Sequence, residues 1–323
     1  MSQRVLLLTH AAMRAHAAPG HPERPERLAA VEAGVVRGAA EAGATLERRT
    51  PGAADDAAIR RVHSDALLAS IERLASTGGG WFDADTYVNA ASPKAARLAA
   101  GASLESARAV AAGDAELAFA VVRPPGHHAA RGRATGFCLL NNVAIAAEEL
   151  RAGQGVHRLG IVDWDVHHGD GTQAIYDADP DLCYTSTHGW PLYPGSGSRD
   201  ERGRGPAAGT KHNVPLPPGS GDEEFLAAWR DELLPAVEAF RPEALLVSAG
   251  YDAHRDDPLA HLAVTEAGYR TVAVLVGELA RRLQLPGVAL TLEGGYDLRA
   301  LEASAAVTVI GLLDGMSTTG DDA

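Results

Sequence analysis

The sequence predicts an α/β protein built on a single parallel β-sheet with helices on both faces. Two observations carry that reading. Short continuous apolar runs alternate with longer amphipathic ones, the pattern of buried parallel strands joined by crossover helices. Chemically unusual residues then fall just past the carboxyl ends of the apolar runs, where open α/β sheets place their ligands.

Strands are expected at residues 5–8, 118–122, 158–162, 182–185, 244–248 and 288–292, each a short and mostly apolar run. Helices are expected at 25–42, 64–75, 93–112, 141–152, 222–240, 265–283 and 298–313. Two have legible starts: Ser92 reads as an N-cap ahead of Pro93, and Thr265 is followed by Glu266, whose carboxylate suits the helix dipole. The Gly/Pro-rich segment 190–218 reads as a long irregular loop, a feature more often functional than idle. With no internal repeat and no Ser/Gly linker, residues 1–316 read as one catalytic domain and 317–323 as a polar tail.

The 323 residues are 46% hydrophobic, enough for one full core, and only 5% aromatic against 35 glycines, so close helix packing through small residues is expected. A net charge of -13 argues against a nucleic-acid footprint and favours cationic partners, although acidity also serves solubility. Cys138 and Cys183 cannot build a disulfide framework, which suits a reducing compartment. The apolar run in MSQRVLLLTH is too short for a signal peptide, and no stretch approaches the roughly 18 to 20 uncharged apolar residues of a membrane span. A soluble, cytoplasmic protein is expected.

The chemistry gathers past the ends of four of these strands. Asp165 and His167 are two apart, so both can reach one cation, and Asp252 can supply a third ligand while a fourth position stays open. That donor set suits zinc and also Fe2+ or Co2+. His127 and His128 follow a stiff Pro-Pro-Gly turn, with Asp163 and Asp170 as available orienting carboxylates. A histidine so oriented can take a proton from water and return it to a leaving amine. Tyr296, after Gly294-Gly295, can donate to a carbonyl oxygen as it becomes an oxyanion, an interaction worth roughly 3 kcal/mol. Gly136, Phe137 and Cys138 offer a wall and a small floor for an aliphatic stem, and Tyr193 an opposite wall.

These residues lie in segments that resemble the histone deacetylase superfamily, class II branch. The matching runs are His21-Pro-Glu-Arg-Pro-Glu-Arg-Leu, Arg123-Pro-Pro-Gly-His-His-Ala, Gly136-Phe-Cys-Leu-Leu-Asn-Asn-Val-Ala, Val162-Asp-Trp-Asp-Val-His-His-Gly-Asp-Gly-Thr, Ser248-Ala-Gly-Tyr-Asp-Ala and Leu292-Glu-Gly-Gly-Tyr. They occur in order over residues 21–298, nearly the whole chain.

The resemblance implies an arginase/deacetylase fold and a deacetylase acting on acetylated lysine or similar acetylated amines by metal-activated water. It implies zinc on Asp165, His167 and Asp252, His128 as general base and acid, His127 as its electrostatic partner and Tyr296 as carbonyl polariser. Asp163 would orient His127 and Asp170 would orient His128. A structural potassium is implied at Asp163, Asp165, His167 and Ser186, with a second monovalent-cation site on backbone around Tyr176, Asp179 and Leu182. Asp85 aligns with a rim position that binds substrate backbone.

Departures from the family's wording bear on substrate. Leu259 follows Asp257-Pro258 where the polyamine-selective branch carries an acidic gatekeeper, and the first loop at 12–24 is short. Both favour acetyl-lysine over acetylpolyamines, which stay as the alternative with other small acylamides. A binuclear manganese hydrolase would need further acidic ligands. A non-catalytic acyl-lysine binder would be expected to have lost a ligand or the tyrosine, and all are present.

Overall fold

The computed structural model describes residues 2–317. In chain order the strands are β1 (Arg4–Leu8), β2 (Thr45–Arg49), β3 (Gly80–Trp81), β4 (Tyr87–Val88), β5 (Leu117–Ala120), β6 (Leu159–Asp163), β7 (Leu182–Gly189), β8 (Lys211–Leu216), β9 (Ala244–Ala249) and β10 (Val288–Leu292). Eight of them form one parallel sheet in the order β2-β1-β5-β10-β9-β6-β7-β8, while β3 and β4 pair as a small antiparallel hairpin. The central strands are buried along their whole length, which is why they read as mostly apolar runs. The two edges do not. β2 is Thr-Leu-Glu-Arg-Arg and largely exposed, and β8 carries Pro215, so neither shows the apolar signature and β8 lies inside the segment expected to be irregular.

The helices are α1 (Glu26–Glu41), α2 (Asp56–Val62), α3 (Asp65–Ser76), α4 (Ser92–Ala111), α5 (Asn142–Gln154), α6 (Asp170–Tyr176), α7 (Asp222–Ala227), α8 (Leu234–Phe240), α9 (Glu266–Arg282) and α10 (Leu298–Ser317). α7 and α8 are joined by a π-helical turn, Ala228–Leu233, so the single helix expected over 222–240 is one element with a widened middle. α10 runs on to Ser317, and residues 318–323 of the expected tail lie outside the described residues.

The helices form two groups, α1 with α10 and α9, and α2 and α4 with α5. Small residues bring them close: a Cβ added at Gly38 on α1 would stand 2.4 Å from Ala306 O on α10. Among the described residues α10 alone is long and apolar enough to cross a membrane by length and composition, although Arg299, Glu302 and Asp314 interrupt it; it packs against α1 and α9 as a core helix. α9 carries Glu266 in its first turn as expected, and Thr265 caps it, accepting from Ala267 N–H at 3.1 Å. Ser92 does not cap α4. Its hydroxyl lies 2.6 Å from His16 Nδ1 and donates to Asn89 Oδ1, so Ala91 starts the helix without a side-chain cap.

Candidate active site

β9 lies between β6 and β10, all parallel, so the residues after their carboxyl ends share one rim. Asp163 ends β6, in register with Ser186 on β7 and Ser248 on β9. Two residues on, Asp165 turns back so that its N–H donates to Asp163 Oδ1 at 3.2 Å. His167 Nδ1 lies 3.2 Å from Asp165 Oδ1 and 3.2 Å from Asp252 Oδ2. One ligand atom each from Asp165, His167 and Asp252 falls within 4.8 Å of the others, a possible metal-binding triad. The remaining oxygens are pinned by backbone: Gly294 N–H donates to Asp165 Oδ2 at 2.7 Å and Val166 N–H to Asp252 Oδ1 at 2.8 Å. Only glycine fits at 294, because a Cβ there would stand 2.0 Å from Asp252 Oδ2.

Both aspartates are fully buried. Burial first, then the charge of Asp165, pushes Asp252 above the ordinary carboxylate range. Burial opposes ionisation of Asp165 too, yet His127 and His167 hold it well below that range. For His167, burial would lower the imidazole, but its hydrogen bonds to Asp165 and Asp252 carry it to about 10. Two buried carboxylates and an imidazole turned on one point form a donor set that suits a divalent cation.

The histidine pair follows β5. His127 Nδ1 is 3.1 Å from Asp163 Oδ2, and His128 Nδ1 is 2.8 Å from Asp170 Oδ1. Asp170 is the first residue of α6, and its other oxygen accepts from Arg133 at 2.7 Å. The two rings lie 4.0 Å apart yet are driven in opposite directions. Burial disfavours the charged form of His127, but Asp165 and Asp163 outweigh it and raise the group well above its usual value. Burial and the neighbouring His127 push His128 down to about 3. Adjacent groups whose environments pull their affinities apart are the pattern of an assigned base beside a fixed charge.

Tyr296 is buried at the end of the loop after β10, its N–H donating to Asp257 Oδ2 at 2.7 Å. Its ring meets Phe137 edge-on at 5.8 Å and lies 5.1 Å from the Arg27 guanidinium. Burial and the charge of Asp252 raise the phenol well above 10, so the hydroxyl stays a donor.

Three supporting residues carry no role in the sequence reading. Arg27 donates to Gly295 O at 2.6 Å and to Glu293 O, bracing the Gly-Gly-Tyr turn from a buried position on α1. Glu293 accepts from Gly126 N–H at 2.6 Å and His127 N–H at 3.1 Å, joining that turn to the histidine pair. Asp257, raised to about 7 by burial and Asp252, holds Tyr296. Arg27 and Glu293 lie inside the quoted motifs, so residue type was legible while the contact was not.

The two expected walls both lie against site residues, Phe137 beside Tyr296 and Tyr193 beside His128 and His167. Gly136, at φ +57°, passes so close to the His128 ring that a Cβ would stand 2.5 Å from it. Phe137 follows at φ +66°, a backbone region costly for a bulky residue, which brings its ring edge-on to His21 at 4.6 Å. Tyr193 stands edge-on to His128 at 5.1 Å, its hydroxyl 2.9 Å from Thr135 Oγ1. Cys138 is fully buried.

At the rim, Asp85 is exposed and its carbonyl oxygen is 2.9 Å from His21 Nε2, while burial and Asp83 push its carboxyl upward. Leu259 is half-buried and its N–H donates to Asp257 Oδ1 at 3.0 Å; Pro258 instead lines the depression shared by His21 and Tyr296. Ser186 Oγ is 3.0 Å from His188 Nδ1, beside Asp163 in the sheet.

The second cation region differs from the expectation. The carbonyls of Asp179 and Leu182, expected to face a second monovalent cation, accept from Lys211 Nζ at 3.1 and 2.7 Å.

Comparison with known proteins places this geometry. Residues 21–312 match the histone deacetylase domain. The chain is 40% identical over 314 residues to histone deacetylase 15 of Arabidopsis thaliana, covering 95% of this chain and 55% of that protein, so it spans little more than half the plant protein's length. It is 36% identical over 281 residues to a histone deacetylase-like amidohydrolase of Pseudomonas aeruginosa, covering 87% and 73% of the two chains. Among solved structures, the HDA15 HD domain superposes with a TM-score of 0.90 at 36% identity, over 99% of this chain and 90% of that one. An acetylpolyamine aminohydrolase from Burkholderia pseudomallei gives 0.84 at 33% identity, over 95% and 98%. The eight-stranded parallel sheet with its helices is the arginase/deacetylase fold of these neighbours.

Proposed function

The chain belongs to the histone deacetylase family, and on that premise we propose that it is a zinc-dependent amidohydrolase that removes acetyl groups from lysine side chains or similar alkylamines. One observation carries the reading: the ligand atoms of Asp165, His167 and Asp252 converge beside two histidines, each held by its own carboxylate.

Asp165, His167 and Asp252 would hold the zinc, which when bound polarises the substrate carbonyl and acidifies water. His128, kept neutral by burial and by His127, takes the proton of the attacking water at Nε2 while its Nδ1–H donates to Asp170. The imidazolium so formed returns the proton to the departing amine nitrogen. His127, held protonated between Asp163 and Asp165, contributes fixed positive charge next to that nascent imidazolium, which keeps His128 a ready donor. Tyr296 donates from its hydroxyl to the carbonyl oxygen as negative charge develops there. Phe137 and Tyr193 flank the alkyl stem. A structural potassium is proposed at the Asp163–Ser186 end of β6 and β7, where neutral and anionic oxygens are adjacent in register.

Between substrates, the sequence Asp257-Pro258-Leu259 and the short first loop favour acetyl-lysine. Full-length structural likeness to an acetylpolyamine aminohydrolase supports the second reading. Specificity constants for an acetyl-lysine peptide and for N-acetylputrescine separate them. A higher value for the peptide is expected, and a much higher value for N-acetylputrescine would overturn the preference.

A further inference from the structure

We infer that the Lys211 ammonium is a tethered monovalent cation, filling a cradle of neutral oxygens at the amino end of β7 and β8 that a free potassium ion would otherwise require. Lys211 is fully buried at the start of β8. Its Nζ donates to Leu182 O at 2.7 Å, to Asp179 O at 3.1 Å and to Thr210 Oγ1 at 2.6 Å. Those oxygens come from the first residue of β7, the turn after α6 and the residue ahead of β8, so one charge ties three segments together.

No carboxylate lies within ion-pair distance of this ammonium among the described residues. The nearby acids are committed elsewhere: Asp179 pairs with Arg151 at 2.5 Å and accepts from Asp181 N–H at 2.8 Å, and Asp177 pairs with Arg204. Backbone carbonyls plus a hydroxyl, without a counter-anion, form the oxygen set that replaces the hydration shell of potassium or ammonium. Burial lowers Lys211 to about 8, which leaves it charged at neutral pH.

Composition supports a requirement for this particular head group. Of 29 Lys and Arg residues only two are lysines, Lys94 and Lys211. A chain that uses arginine almost everywhere keeps lysine at a fully buried position. The planar arginine fork is matched to carboxylates, whereas a compact ammonium with three divergent donors fits a rounded oxygen cradle. The second monovalent-cation site implied by the family resemblance therefore does not fit a free ion here, because the chain carries the cation itself.

The test needs no activity assay. Crystals of the zinc-loaded protein soaked in rubidium are expected to show no anomalous peak between Asp179 O and Leu182 O, and a peak there in the wild type overturns the inference. Thermal denaturation of Lys211→Ala, with KCl exchanged for choline chloride at constant ionic strength, provides the second measurement. The variant is expected to melt lower than wild type in choline and to recover several degrees as potassium or methylammonium is added, a rise larger than the wild type shows. Lys211→Met, whose side chain still fills the space, is expected to melt low without that recovery. An alanine variant no more cation-dependent than wild type contradicts the proposal.

Discussion

At the carboxyl end of β6, β9 and β10 the chain turns Asp163, Asp165, Asp252 and Glu293 inward, with His127 and His167 among them. At the amino end of β7 and β8, in the same sheet, it turns Lys211 toward carbonyl oxygens. Both ends bury oxygens that need positive charge, and they meet the need differently. The first gathers anions that suit an exchangeable divalent ion, which on the proposed reading would supply the chemistry. The second uses a covalently attached ammonium, which holds segments together and offers nothing to a substrate. On the two proposals together, a buried charge is left to a diffusible ion where reaction demands it and built into the chain where only structure does.

The largest effect that would sharpen this contrast lies at the rim. Asp252→Ala removes one of two carboxylates that suit the divalent ion, so zinc content measured on purified protein is expected to fall from near one per chain toward zero, with turnover. Retention of full zinc would mean that the triad is not the metal site. The tethered cradle should leave zinc content untouched when Lys211 is replaced.

A smaller effect concerns a third way of burying a titratable group, which is to keep it neutral. His63 Nδ1 lies 3.0 Å from Ala130 O, and its Nε2 accepts from Asn141 N–H at 2.8 Å, so both ring nitrogens are used by the neutral form. Burial lowers it to about 4. The unfolded chain binds this proton near pH 6.5 and the folded chain only near 4, so between these values the unfolded state holds more protons. Stability is therefore expected to fall as pH drops from about 6.5 to about 4. Melting temperatures of wild type and His63→Gln across that range test it; equal slopes would remove His63 as the cause.

The sequence shows the central sheet because β5, β6, β9 and β10 are buried on both faces and are therefore apolar over most of their length. The same physics hides β2 and β8, whose edge positions tolerate Glu47, Arg48 and Pro215. β7 is longer than its apolar run because Ser186, Thr187 and His188 are polar yet buried at the rim. Site residues that act through their type, such as the Asp165–His167 pair, were readable from spacing. Residues that act through distance were not: Arg27 reaches Glu293 across 266 positions, and no local pattern encodes that contact. Lys211 lies in a segment that reads as loop, and only its rarity among 29 Lys and Arg residues sets it apart in the sequence.

The most direct measurement is steady-state hydrolysis of an acetyl-lysine peptide by the zinc-loaded protein, with Tyr296→Phe assayed alongside at matched zinc content. Turnover by the wild type, reduced about a hundredfold in kcat by loss of one hydroxyl, is the predicted result. Near-normal turnover by Tyr296→Phe would contradict the role assigned to that donor, and no turnover on any acetylated amine by either protein would contradict the amidohydrolase reading itself.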